Sequence, residues 1–118
     1  SNITKIYKMK VTEKGHTTII KDSNDHLGEL IAKLTHEIKT FKSQNLIIDL
    51  THYGTIEKKH LLFFISLSTD HRRNKKSFVV VVSATDFNAF ADDFTVVPSV
   101  LEAHDIIEME EIERDLGF

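Results

Sequence analysis

The chain has 118 residues, 41% hydrophobic and 28% charged, with one Pro, four Gly and no Cys. That balance suits one globular domain. It excludes a Pro/Gly-rich disordered segment and a disulfide framework, and no apolar run approaches the ~20 residues of a membrane span. The net charge of −3 is unevenly spread: residues 1–76 hold 14 Lys/Arg against 8 Asp/Glu, and residues 77–118 hold one against 10. Such asymmetry can steer a charged partner. The lack of cysteine fits a reducing, cytoplasmic compartment, and no signal-peptide pattern is visible.

In chain order, Ile6, Met9 and Val11 among Lys5, Lys8 and Lys10 read as a strand over residues 5–12. Glu13-Lys14-Gly15 supplies a turn, and the β-branched Thr17-Thr18-Ile19-Ile20 returns as the second strand of a hairpin. Asp22, Ser23, Asn24 and Asp25 are N-cap types before a helix expected over residues 26–42. There Leu27, Leu30, Ile31, Leu34, Ile38 and Phe41 share one face, and His26 and His36 read as exposed positions. Leu46-Ile47-Ile48 has the composition of a strand buried on both faces. A helix is expected over residues 57–74, its last turn gathering His71, Arg72, Arg73, Lys75 and Lys76 at the negative end of the helix dipole.

Phe78 to Val82 form an uninterrupted strand signal that implies a central parallel position. Ser83 to Asp86 introduce a short helix through Phe90, and residues 94–97 a last strand stopped by Pro98. Ser99 caps the final helix with Glu102 three residues on, a capping box. Val100, Ala103, Ile107, Met109, Ile112 and Leu116 then read as one drifting apolar stripe. The order ββαβαβαβα predicts an α/β fold with a mixed, mainly parallel sheet, as a single domain over residues 3–118. Ile47, Phe63 and Val80 are expected in its core.

Sites in open α/β sheets gather at the carboxyl ends of the strands, which points to the loop after Ile48. His52 and His60 flank that loop and, with Asp49 or Glu57, suggest acid–base or metal chemistry as one alternative. The chain has no HExxH, GxSxG, GxGxxG or P-loop pattern, so no enzyme activity, cofactor or metal is expected. His104 and Glu108, four apart, read as an ordinary helical pair. The basic cluster at residues 71–76 lacks interleaved aromatics, so nucleic acid is not an expected partner.

Residues 49–61, Asp-Leu-Thr-His-Tyr-Gly-Thr-Ile-Glu-Lys-Lys-His-Leu, resemble the signature of STAS domains, the anti-sigma-factor-antagonist fold. That signature reads Asp-Leu-Ser, a short loop, then Ile-Asp-Ser-Ser-Gly-Leu. Asp49, Leu50, Thr51, Ile56 and Leu61 match; Glu57 stands for the Asp, Lys58 and Lys59 for the two serines, and His60 for the glycine. The first serine is the family's phosphoacceptor, and Lys58 cannot take a phosphate. The resemblance therefore implies a STAS-like fold and a non-catalytic protein-interaction module in cytosolic regulation, without the serine switch. It implies a partner surface formed by Thr51, His52, Tyr53, Thr55, Glu57, Lys58 and Lys59, and a histidine-kinase-like anti-sigma factor as the class of partner. Thr51 and Thr55 are expected to stay unphosphorylated.

A small-ligand or anion-binding module in the same crevice is the first alternative. The ending from Val96 onward is also similar to small STAS-type proteins of Bacteroidota associated with, or labelled as, ribonuclease Z. This implies an accessory role beside such a nuclease, because the nuclease's own His-x-His-x-Asp-His motif is not in this chain. Ile112, Leu116 and Phe118 form an apolar strip on an acidic tail. It is expected either to fold back over the sheet or to mediate a homodimer, the acidic flank meeting the basic 72–76 turn of another copy.

Overall fold

The structure, a computed structural model, describes residues 9–22, 26–90 and 94–117. Strands β1 (Met9–Lys14) and β2 (Thr17–Asp22) form an antiparallel hairpin. Its turn is Gly15-His16, and Gly15 takes φ +60°, the left-handed conformation that a two-residue hairpin turn requires. The first strand thus runs two residues past the end expected from sequence, and residues 5–8 lie outside the described part. Strands β3 (Asn45–Asp49), β4 (Phe78–Val81) and β5 (Thr95–Val97) add in parallel, giving the order β1-β2-β3-β4-β5.

Each step from β2 to β5 moves one strand over in the same direction. Right-handed crossovers then carry the intervening segments across one face of the sheet. That face holds α1 (Leu27–Glu37), a 3-10 turn (Ile38–Phe41), α2 (Lys58–Leu61), α3 (Phe64–Arg72) and a 3-10 turn (Phe87–Phe90). The helix α4 (Val100–Asp115) follows the last strand and covers the opposite face. Strand periodicity divides the core accordingly: Ile20, Leu46, Ile48 and Val80 join the first cluster, while Ile47, Val79 and Val81 join the second. Every residue of β3 and β4 is buried, as β-branched runs between two covered faces require.

The apolar face of α1 is as expected, with Leu30 and Leu34 fully buried. The regular helix is shorter, however, and continues only as the 3-10 turn. Its N-cap is His26, whose Nδ1 accepts the Glu29 backbone N–H at 3.3 Å, so His26 is not simply an exposed helix residue. Of the expected capping run, Ser23, Asn24 and Asp25 lie outside the described residues, and Asp22 belongs to β2.

The helix expected over residues 57–74 is two helices. The backbone tightens where the Ile65 N–H donates to Leu62 O at 3.1 Å, a 3-10 spacing. Residues 61–65 are all apolar, and one helix stripe cannot turn them all inward. Leu61 and Phe64 are buried, whereas Leu62 is 40% and Phe63 63% exposed. The placing of Phe63 in the core is therefore corrected, while Ile47 and Val80 are fully buried.

The apolar residues of α4 form two stripes. Val100, Ala103 and Ile107 face the sheet. Leu101, Met109, Ile112 and Leu116 are 72%, 60%, 53% and 67% exposed, so Ile112 and Leu116 do not finish covering the sheet. Phe118 lies outside the described residues, as do Asp92 and Asp93. At the start of α4, Ser99 Oγ accepts the Glu102 N–H at 3.1 Å and donates to the Glu102 carboxylate at 3.3 Å, so Glu102 closes on the hydroxyl. Among the described residues, no helix is long and apolar enough to cross a membrane.

Candidate functional site

β3 ends on Asp49, whose Oδ1 accepts the Thr51 N–H at 3.0 Å and the Thr51 hydroxyl at 2.7 Å. This side-chain turn opens a 3-10 turn (Thr51–Tyr53). Gly54 ends it at φ +74°, ψ −128°, a conformation strained for any residue with a Cβ. The loop is then fastened to the segment after β4. The Ile56 N–H donates to Ala84 O at 3.2 Å, Thr55 bridges Ala84, and the Ser83 hydroxyl donates to Thr51 O at 3.0 Å.

From the other side the loop is fastened to β2. The Asp22 side chain has no exposed surface, its carboxylate accepts the Tyr53 hydroxyl, and its Oδ1 lies 2.7 Å from His52 Nε2. A carboxylate so buried is stable only with donors or a cation beside it; Tyr53 donates to Oδ2, whereas Oδ1 accepts no hydrogen bond among the described residues and has the His52 ring beside it. A carboxylate behind an imidazole also orients a general base. Here, however, Tyr53 shares the carboxylate, and the two rings pack with centroids 4.2 Å apart at 40°. The His52 side chain keeps 23% of its surface exposed. The arrangement works as a staple between β2 and the loop.

In the alternative of an acid–base or metal cluster, His52 and His60 meet with Asp49 or Glu57; the structure places His52 beside Asp22 instead. Asp49 is used by Thr51, Glu57 pairs with Lys59 at 3.4 Å, and His60 is exposed. Among the described residues, no group of three or more His, Asp or Glu side chains is placed to hold a metal ion. Sequence reasoning missed Asp22 because its neighbours resemble a helix cap; the signal lay in its place two residues beyond Ile20, at the end of a strand paired in register with β3.

The expected surface residues thus separate. Thr51, His52 and Tyr53 tie the loop inward, while Thr55, Glu57, Lys58 and Lys59 are exposed. With Leu62 and Phe63 they form a ledge that is both cationic and apolar. A cavity of about 400 Å³ lies elsewhere, lined by Ile38, Lys39, Lys42, Asp70, His71, Arg73 and Asn74. His71 is buried there, and its Nε2–H donates to Gln44 O at 2.7 Å. Burial holds its pKa below the ordinary imidazole range against that hydrogen bond, and Arg72 and Lys76 lower it further.

The basic turn after α3 has a partner within the same chain: Arg72 Nη1 donates to Glu110 at 3.2 Å, and its Nη2 donates to Phe78 O at 3.1 Å. The contact expected between the acidic tail and this turn in another copy is, for Arg72, made within one molecule. His104 lies near Lys14 rather than in a closed pair with Glu108; burial and the Lys14 charge lower its pKa, and Asp105 opposes them. Compared with models of known protein families and with curated proteins, the chain matches none.

Proposed function

We propose that this chain is a non-catalytic, STAS-type protein-interaction module of cytosolic regulation whose docking surface is the ledge of residues 55–63. One observation carries the reading: a loop bonded to β2 and to the segment after β4 holds Lys58 and Lys59 outward on the short helix α2, and Leu62 and Phe63 outward in the turn that follows it. A surface preorganised in this way loses little freedom on binding. An exposed Phe flanked by cations fits the anchor-and-rim pattern of binding sites. The sheet with its leading hairpin and the match at residues 49–61 support the STAS assignment. Lys58 gives a fixed positive charge where that family places a switchable negative one, so the fitting partner presents an acidic rim around an apolar seat.

The test is capture of native-cell proteins on the tagged chain, comparing wild type with Phe63→Glu, Lys58→Glu/Lys59→Glu and a remote control, Lys39→Glu. The expected result is a captured partner retained by the control and reduced at least ~30-fold in the ledge variants, the equivalent of about 2 kcal/mol. Capture indifferent to the ledge overturns the reading. An RNA-processing nuclease captured through the ledge would assign the accessory role within it.

A further inference from the structure

Among the described residues, the large apolar side chains left exposed are Val11 on the edge strand, Leu62 and Phe63 on the ledge, and Leu101, Met109, Ile112 and Leu116 on α4. At 100° per residue the four α4 positions fall within about 80° of one another and run about 22 Å along the helix. Asp105 lies in the middle of that stripe by the same spacing, and Glu108 lies at its rim, both exposed. Arg114, the one cation of α4, is turned the other way, donating to Ser77 Oγ at 3.1 Å and Asn45 Oδ1 at 3.3 Å. The outward face of α4 is thus apolar and anionic. The ledge is apolar and cationic, with Lys58 and Lys59 against the single carboxylate of Glu57.

We propose that the ledge of one copy seats on the outward face of α4 of the next, so that this chain assembles head to tail; the proposal rests on the ledge being a docking surface and names its partner. Phe63 and Leu62 would enter the stripe between Met109 and Ile112, with Lys58 and Lys59 meeting Asp105 and Glu108. The two patches lie over opposite faces of the sheet, so they cannot meet within one molecule. Because the patches lie over opposite faces, one neighbour cannot engage both at once; the contact propagates into a ring or an open chain instead of closing as a twofold dimer. A symmetric α4–α4 pair would instead bring the acidic stripes together, like charge against like.

Sedimentation velocity and light scattering on the full-length chain test this, from micromolar to millimolar concentration. Wild type should grow in mass beyond a dimer, and growth should weaken as salt screens the charged rim. Phe63→Glu blocks only the ledge and Ile112→Glu only the stripe. Each alters an exposed side chain, and circular dichroism checks that each remains folded. Each variant alone should be monomeric, and their equimolar mixture should form a 1:1 dimer that grows no further, because it has one good ledge and one good stripe left. Self-association by Phe63→Glu alone overturns the head-to-tail contact in favour of an α4–α4 pair. So does a mixture that stays monomeric. A monomeric wild type overturns the assembly but leaves the docking surface standing if capture still depends on the ledge; capture indifferent to the ledge overturns both.

Discussion

On one face of the sheet, α1, α2 and α3 bury a continuous apolar cluster that includes Leu30, Leu34, Leu61, Phe64, Phe78 and Phe90. On the other, α4 alone lies across β3, β4 and β5 and contributes only Ala103 and Ile107 to the buried core. Its second half is held by directional bonds. Arg72 holds Glu110, Arg114 reaches Ser77 and Asn45, and the Asn45 amide donates to Glu111 at 3.2 Å. The first face is stabilised by area, at roughly 1.5–3 kcal/mol for each large side chain fully buried. The second needs fewer apolar contacts because its bonds are half-sheltered, where charge-assisted hydrogen bonds are worth about 1.5–3 kcal/mol each. That economy leaves Leu101, Met109, Ile112 and Leu116 of α4 exposed.

The largest effect that tests this contrast is Val80→Asp. It puts a charge into the area-held face, where Val80 is fully buried. The cost should be at least about 4 kcal/mol, read as loss of the folded transition in urea. A soluble variant with unchanged Tm would remove β4 from the core.

A smaller loss is expected from Asn45→Ala on the bond-held side. Asn45 is fully buried, and its Oδ1 accepts the Ser77 backbone N–H at 2.8 Å. Truncation leaves that donor and Arg114 without this acceptor, at about 2 kcal/mol. Arg114→Ala should cost less, because Asn45 still accepts from Ser77; Glu110→Gln, which removes the charge facing Arg72, should have an effect that shrinks in high salt. Equal sensitivity of both faces to salt would erase the distinction.

The smallest effect is a pH dependence with one histidine on each face. His71 and His104 both titrate below their ordinary value in the folded chain, chiefly through burial. The unfolded chain therefore binds more protons, and stability falls as pH drops. The contribution is complete above about pH 6.5, the unfolded value, and is lost as pH falls through the lower folded values. Chemical denaturation between neutral and mildly acidic pH should show this slope, reduced in His71→Gln. A slope unchanged in that variant would assign it to other groups.

Much of the strand pattern could be read directly. Residues 46–48 and 78–82 are apolar and β-branched over lengths too short for helices, and they form β3 and β4 with both faces covered. The α1 stripe at spacings of three and four was equally legible. The candidate site was located only in part, because the loop after β3 is marked by Asp49 and Gly54 whereas the residue that fastens it, Asp22, is 31 residues from Tyr53 in sequence.

Local sequence by itself determined what depends on local periodicity and turn chemistry: the strands of the sheet, the apolar face of α1, the left-handed turn at Gly15, and Ser99 at the head of α4. Only tertiary structure decided which way ambiguous apolar residues point. Phe63 and Phe64 are adjacent and chemically identical, yet the sheet beneath α3 buries Phe64 and leaves Phe63 outside. In α4, Ile107 and Ile112 are likewise the same residue, but the sheet faces only one of them, and Arg72 and Asn45 hold Glu110 and Glu111 on its side. A helix turns 100° per residue, so its neighbours, and not its composition, choose the stripe that is buried.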